Sequence, residues 1–384
     1  MVSYVPLFPN DSGNRSRVLN IFNNLRELGN DVHFIYIDNG NKNVDLKKME
    51  KYVGINKFWR YKNKDKKKLI PTIKRYLRKI VLKVGLSKKI IIHYGIDDIY
   101  PESLTDFVCE KMNEIKYDVI WVEYVWYSKL LKYVKNDVLK VIDTHDVFTN
   151  REKLFLINND TPKWYYTTKK EESKGLSRAN YVVSIQNKET DFLNNIINNK
   201  NTKVVTIGNS IDLTKPKIVK NKNYLFIGSN NDMNINGINL FIKNVLPNVR
   251  KREKNSKLII AGSVCDNIPD SDNYEKLGFV DDLNDLYNSV RLVINPVMSG
   301  TGLNIKTIEA LGHCKPLVTT KCGIKGLNND GNMCYIARND EEFADRIIDV
   351  LNDDEVAKIL SEQSFHFVKK YNNECVKNIR ELIK

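Results

Sequence analysis

Short apolar runs bounded by turn formers alternate along this chain with stretches whose apolar residues recur at helical spacing, and the pattern occurs twice. In the first set, a strand at Tyr4-Val5-Pro6-Leu7 leads into the turn-rich loop Phe8 to Asn14. A helix is expected from Arg15 to Leu28, with Val18, Phe22, Leu25 and Leu28 on one face and Gly29 as the stop. Further strands are expected at 32–37, 118–123, 140–143, 181–185 and 203–207. The polar, Lys-rich stretch Asp212 to Asn223, with Pro216, reads as an interdomain linker. The second set has strands at 224–228, 257–262, 277–280, 291–296 and 316–320, with helices from about Gly237 to Lys251, from Asp281 and from Asn304, and two more at the end. This alternation predicts two doubly wound α/β domains, each a parallel sheet with helices on both faces. The length of 384 residues suits two such domains.

Other readings of the composition are narrower. No stretch approaches the roughly 18–20 uncharged apolar residues that a membrane span needs. The first residues have neither a basic leader nor a long apolar core, so no signal peptide is expected. Six cysteines are scattered without a Cys-x-x-Cys, the pattern of reduced thiols in a cytoplasmic protein rather than a disulfide scaffold or a zinc site. The net charge is +14, yet the window Lys57–Lys89 holds fourteen Lys or Arg and one acid, Asp65. The rest of the chain is therefore close to neutral. A basic device on a neutral body argues against a general nucleic-acid binder. From Thr72 to Val84 apolar residues recur near helical spacing opposite Lys74, Arg75, Arg78, Lys79 and Lys83, the profile of an interfacial helix drawn to anionic lipid. The competing reading is a helix packed on its own domain with a solvated basic face; RNA binding has no matching fold signature.

In open parallel sheets, ligands bind beyond the carboxyl ends of the strands. Polar residues and glycines gather there: Ser12-Gly13, Glu123, His145-Asp146, Asn209, Gly228-Ser229, Gly262-Ser263, Asn295-Pro296 and Ser299-Gly300-Thr301-Gly302. The segment Asn295 to Leu311 joins a strand, a Gly-rich turn and a helix start, whose free N–H groups suit a phosphate. Lys306 and Glu309 share one face of that helix, where the cation reaches a diphosphate and the carboxylate accepts from ribose hydroxyls. A tight turn with an exposed ion pair is the alternative. Of five histidines, His33, His93, His313 and His366 read as structural. His145 follows a buried strand between Asp143 and Asp146, and reads either as part of a capping turn or as a polar contact in a site. Glu123 is a buried-edge carboxylate or an acceptor-hydroxyl contact. Asp270-Ser271-Asp272 has the form of a metal-binding Asp-x-Asp but sits in a polar loop after Pro269, and a solvated turn is expected.

At Gly300-Thr301-Gly302-Leu303-Asn304-Ile305-Lys306 the chain resembles the family 4 glycosyltransferases of the GT-B fold, particularly members with a Gly-Thr-Gly-Leu-x-Ile-Lys turn. The resemblance extends through Gly278-Phe279-Val280, Glu309-Ala310-Leu311 and Pro316 to Thr320. It also takes in Phe226-Ile227-Gly228-Ser229 and, in the first half, Gly13-Asn14-Arg15, Asp143 to Asp146 and Gly208 to Asp212. It implies two Rossmann-like domains facing a central cleft: 1–212, acceptor-side, with the basic insertion 57–89; 213–370, binding the nucleotide-sugar; and 371–384, a C-terminal helix packing back on the first domain. It implies retaining sugar transfer without a metal or other cofactor, the nucleotide-sugar being substrate. By match, Phe279 and Val280 face the base, Glu309 the ribose, and Thr301, Gly302 and Leu303 the diphosphate with Lys306 nearby; Gly228 is a further nucleotide- or donor-binding candidate. His145 faces the donor sugar. The Gly13–Arg15 loop closes over the leaving group or the acceptor. Glu123 and Asp146 are the candidate acceptor contacts.

Two departures stand out. Where the family often has a second Glu, this chain has Thr301, and no cation follows Gly228 in Ser229-Asn230-Asn231-Asp232-Met233. Diphosphate charge is then met by Lys306 with Arg15, Lys321 or Lys325. The expected protein elongates a glycan or lipid-linked acceptor for a bacterial surface polysaccharide. It would sit peripherally at the inner face of the cytoplasmic membrane, held to anionic lipid through 57–89, with no nucleic-acid partner. A GT-B nucleotide-sugar epimerase and a non-catalytic protein binding anionic membrane or polymer are the alternatives.

Overall fold

The computed structural model describes all residues except 11, 64, 66–68, 84–85, 87–89, 158–160, 163–164, 281, 300–302 and 328–331. It divides into two units: Met1–Gly208 with Lys377–Lys384, and Asn209–Val376.

Unit 1 holds a seven-stranded sheet with spatial order β3-β2-β1-β4-β5-β6-β7. The strands are β1 (Val2–Ser3), β2 (Phe34–Asp38), β3 (Phe58–Lys62), β4 (Val119–Glu123), β5 (Leu139–Asp143), β6 (Tyr181–Ser184) and β7 (Lys203–Thr206), and every pairing is parallel. Helices α1 (Gly13–Glu27), α2 (Leu46–Val53), α3 (Leu69–Lys83), α4 (Ser103–Glu114), α5 (Glu152–Ile157), α6 (Lys169–Leu176) and α7 (Asn187–Ile196) lie between the strands. The central strands read as continuous apolar runs because both of their faces are covered. Phe34 to Ile37 of β2 and Ile120 to Val122 of β4 are all buried. The core joins them to Val18 and Phe22 of α1 and Leu104 and Val108 of α4.

Unit 2 holds a six-stranded sheet with order β10-β9-β8-β11-β12-β13, again wholly parallel. Its strands are β8 (Asn223–Ile227), β9 (Lys257–Ala261), β10 (Tyr274–Gly278), β11 (Leu292–Asn295), β12 (Leu317–Thr320) and β13 (Tyr335–Ala337). Its helices are α8 (Asp232–Asn244), α9 (Leu246–Arg252), α10 (Leu283–Asn288), α11 (Ile305–Gly312), α12 (Asp340–Asn352) and α13 (Asp354–Ile383). Residues on alternate sides of β8 enter different cores: Tyr224 and Phe226 pack with Phe241 and Ile347, Leu225 with Ile308 and Leu311. This is the period-two alternation of a strand covered on both faces.

Several elements depart from the sequence expectation. The first strand is Val2–Ser3 rather than Tyr4–Leu7, and Ser3 Oγ turns back to the Val5 carbonyl at 2.9 Å. The window 57–89 is not all insertion, because β3 completes the sheet edge beside β2. The long helix expected at 237–251 is two, α8 and α9, with Pro247 in the first turn of the second, where its missing N–H is harmless. The third strand of unit 2 ends at Gly278, whose φ of 66° breaks the extended backbone. The stretch 212–223 lies along unit 2: Thr214 N donates to the Gly312 carbonyl at 2.9 Å. The end of α13 rejoins unit 1, where Asn378 Nδ2 donates to the Thr206 carbonyl at 2.8 Å. Among the described residues no helix is long and apolar enough to cross a membrane.

Candidate functional site

In unit 2 the strand order reverses between β8 and β11, and a doubly wound sheet binds its ligand at such a switch point, outside the carboxyl ends. The turns after β8 and β11 meet there. Gly237 of α8 lies so close to the second turn that a Cβ on it would stand 3.1 Å from the Pro296 carbonyl oxygen. The first turn is equally tight. A Cβ on Gly262, where φ is +90°, would stand 2.3 Å from the Gly228 carbonyl oxygen, so the ends of β8 and β9 approach as only glycine permits.

The start of α11 is fixed from beneath. Buried Asn295 at the end of β11 donates to Thr307 Oγ1 at 2.9 Å, and Thr307 donates to the Gly323 carbonyl at 2.6 Å. This pins the first turn of α11 and aims Lys306 at the start of α8. Lys306 Nζ donates to Asn234 Oδ1 and lies 4.7 Å above the Phe226 ring. Asn234 in turn donates through Nδ2 to the Ser229 carbonyl at 2.8 Å, while its backbone N–H is capped by Asn231 Oδ1 at 2.9 Å. Burial pulls the Lys306 amine down to about 7, with Glu309 opposing. Burial pushes the Glu309 carboxyl up to about 7, with Lys306 opposing. The two side chains share one helix face, where burial favours the neutral form of each and their mutual attraction opposes it.

The remaining candidates of unit 2 fall around this point. Gly228 ends the β8 turn, and its N–H donates to the Ala261 carbonyl at 3.0 Å. Leu303 precedes α11 and is half-buried. Thr301 and Gly302 lie outside the described residues. Phe279 is 67% exposed just past β10, beside half-buried Val280. The Asp-x-Asp is a solvated turn: Asp270 is exposed and pairs with Lys276 at 2.6 Å. Asn234 is the residue that sequence reasoning missed. Its only signal is the Asn-rich stretch after Gly228, where an amide stands in place of a cation.

In unit 1 the order reverses between β1 and β4. Gly13 opens α1 there, and Tyr4 after β1 meets Tyr124 after β4 with ring centroids 5.0 Å apart. Arg15 is buried, and its guanidinium donates to the Pro9 carbonyl at 3.0 Å and the Asn43 carbonyl at 2.9 Å, which braces the loop. Glu123 and Asp143 are paired across the parallel register of β4 and β5, and both are fully buried. His145 Nε2 lies 2.5 Å from Glu123 Oε2. Asp143 Oδ1 accepts from Arg17 Nε at 3.0 Å and Nη2 at 2.8 Å, and Arg17 Nη1 reaches the Ile207 and Gly208 carbonyls at 3.1 and 3.2 Å. Glu172 of α6 receives the N–H groups of Phe148 at 2.9 Å and Thr149 at 2.6 Å, which anchors the loop that carries His145. Asp146 is half-buried and pairs with Arg151 at 3.3 Å; it caps no helix, since α5 begins at Glu152.

Glu123, Asp143 and His145 offer three potential metal-binding atoms within 4.8 Å of one another. The positive charge beside them is already the Arg17 guanidinium, in contact with Asp143, so the donor set does not fit a cation well.

With this geometry in view, comparison with known proteins is specific. Residues 221–353 match the family model described as Glycosyl transferases group 1. A Klebsiella pneumoniae protein named "Uncharacterized 44.6 kDa protein in cps region" is 26% identical over 166 residues, covering 39% of this chain. The match spans only 42% of that relative's length. Among solved structures, TarM of S. aureus superposes with a TM-score of 0.70 at 15% identity, covering 100% of this chain and 98% of its own. The pneumococcal O-GlcNAc transferase GtfA, solved with UDP and GlcNAc, gives 0.65 at 10% identity, covering 100% and 97%. The fold is that of the GT-B proteins, two Rossmann-like parallel-sheet units, and the group 1 glycosyltransferase match covers residues 221–353. That match falls on unit 2, over the strands and helices that gather Lys306, Glu309 and Asn234.

Proposed function

We propose that this chain is a retaining, metal-independent glycosyltransferase of the subgroup with the Gly-Thr-Gly-Leu-x-Ile-Lys turn. It moves a sugar from a nucleotide-sugar, here taken as UDP-linked, to a glycan or lipid-linked acceptor of a bacterial surface polysaccharide. The observation that carries the reading is the junction of Lys306 with Asn234 at the switch point of unit 2. A UDP-bound S. aureus TarM variant and UDP-bound GtfA of the same fold motivate the choice of base. The polysaccharide role is supported by the cps-region relative.

In this reading unit 2 holds the donor. Phe279 and Val280 meet the base, Glu309 accepts from the ribose, and Thr301, Gly302 and Leu303 are assigned to the diphosphate beside Lys306, with Gly228 in the same donor site. Breaking the sugar–phosphate bond leaves negative charge on the departing diphosphate. An ammonium fixed there before the reaction stabilises that charge without reorganising. Unit 1 carries the groups assigned to a sugar and to the acceptor: His145, the Gly13–Arg15 loop and Asp146.

The two shifted groups give a pH signature. A diphosphate favours the protonated Lys306, so donor affinity falls as pH rises through about 7, where the free amine loses its proton. Ribose hydroxyls favour the ionised Glu309, so affinity also falls as pH drops through about 7. Calorimetric titration with a UDP-sugar is expected to show strongest binding near neutrality. Lys306→Ala should remove the alkaline limb and Glu309→Gln the acid limb; a flat profile for the unmodified protein would contradict the assignment.

Helix α3 supports the membrane partner. Arg78 faces inward, donating to the Ile92 carbonyl at 2.9 Å and stacking 3.4 Å over Tyr94, and Lys74 pairs with Asp98 at 3.4 Å. The apolar residues face outward: Ile73 is 48% exposed, Tyr76 57%, Leu77 45% and Ile80 55%. They share one helical stripe, with exposed Lys79 and Lys83 nearby. An apolar stripe edged by lysines fits the headgroup region of an anionic bilayer, where each cation contributes about 1 kcal/mol. The protein is expected to co-sediment with phosphatidylglycerol vesicles but not with phosphatidylcholine alone. Replacing Ile73, Tyr76, Leu77 and Ile80 by Ser should weaken this at least about tenfold without lowering the melting temperature. Equal sedimentation of both proteins would remove the membrane from the proposal.

A further inference from the structure

The geometry around Glu123 separates it from any direct contact with an acceptor. Its side chain is fully buried at the end of β4, and its neighbour across the register is Asp143, also fully buried. Two carboxylates side by side in an interior each need a partner. Asp143 has one in Arg17, whose guanidinium makes two bonds to Oδ1. Glu123 has the other in His145, through Oε2, while its second oxygen, Oε1, has no hydrogen-bond partner among the described residues. A buried carboxylate that keeps one oxygen orphaned is a poor device for stability, so its retention needs another explanation.

The surroundings supply it, because everything here fixes one imidazole. The Tyr124 ring stacks on His145 with centroids 4.1 Å apart and planes at 8°. Both residues have left-handed backbones, φ 69° for Tyr124 and 59° for His145, which side-chain-bearing residues rarely adopt and which cost about 1–3 kcal/mol each. The loop beyond is held by Glu172. His145 Nδ1 makes no hydrogen bond to a described residue, and 7% of the residue remains exposed.

We propose that Glu123 is a positioning residue for His145: it accepts the Nε2 proton, holds the imidazole in the Nε2–H tautomer, and leaves the Nδ1 lone pair to accept a hydroxyl of the bound sugar. The inference deepens the transferase reading, which supplies the sugar; the Glu–His arrangement itself stands without it. A carboxylate on one ring nitrogen decides what the other can do.

The test is nitrogen-15 NMR of the full chain labelled at histidine, at pH 7.5, with the His145 signals assigned by their loss in His145→Asn. The expected result is a protonated Nε2 and an unprotonated Nδ1. In Glu123→Gln the amide can turn its NH2 to Nε2, so the tautomers are expected to mix or reverse. Transfer or hydrolysis of UDP-sugars by Glu123→Gln should fall at least about tenfold in kcat, with UDP affinity within about twofold of the parent and an unchanged melting curve. A proton on Nδ1 in the unmodified protein, or unrestricted tautomer exchange there, overturns the proposal. So does a Glu123→Gln protein with undiminished kcat. If the unmodified protein binds no UDP, the transferase reading fails, while the NMR result still decides the role of Glu123.

Discussion

Lys306→Ala is expected to abolish donor use and to weaken UDP binding by about 10- to 100-fold, because it removes the ammonium that meets the diphosphate. A hydrogen bond to a charged group is worth about 1.5–3 kcal/mol, which sets that range. The fold should tolerate the change. Lys306 is half-buried at a helix start, and its amine is held by one amide, Asn234, and one ring face, Phe226. Melting temperature should therefore move by no more than a few degrees while titration calorimetry reports the weakened UDP affinity. Lys306→Arg should not restore it, since a planar fork does not replace a point charge fitted between an amide and a ring. Undiminished UDP affinity in Lys306→Ala would remove the site from α11.

Arg17→Met carries the largest expected effect on stability, about 3–5 kcal/mol, read as a lower urea midpoint. The reason is what is left behind. Asp143 is left fully buried with no guanidinium against it, and the Ile207 and Gly208 carbonyls lose their donor. Replacing both partners, as in Arg17→Met with Asp143→Asn, should recover a substantial part of the loss, since the pair rather than either member is what the interior accepts. If Arg17→Met unfolds at the parent's midpoint, the buried ion pair does not hold the strand ends of unit 1.

What the sequence made legible follows from periodicity. The doubly wound α/β class and most strands were readable because strands covered on both faces are written as continuous apolar runs, as at Phe34 to Ile37 and Leu258 to Ala261, whereas the GT-B architecture rested on the resemblance at Gly300 to Lys306. β3 was missed because Phe58-Trp59-Arg60-Tyr61-Lys62 is an edge strand inside a cationic window, where charge masks the pattern. β13 was missed because it is only three residues long. The α3 stripe was seen, but not its orientation. Arg78 turns inward because backbone carbonyls and the Tyr94 ring await it, and no local pattern encodes partners that lie 14–16 positions away.

The site was legible in its local parts and opaque in its pairings. Lys306 and Glu309 share a helix face by spacing alone. The Lys306–Asn234 bond joins residues 72 positions apart, and the Glu123–His145 bond joins residues 22 apart through the strand register. Such contacts depend on sheet order. Sheet order turned Glu123 from an acceptor candidate into an interior partner of an imidazole, and turned an asparagine with no evident role into the partner of the key lysine.

The central claim is that the switch point of unit 2 receives a nucleoside diphosphate, and a crystal of the full chain grown with UDP tests it most directly. The account predicts the diphosphate against Lys306 at the start of α11, with the ribose on Glu309 and the base beside Phe279. UDP bound elsewhere on the chain, with the space between the β8 turn and α11 closed to it, would contradict the account.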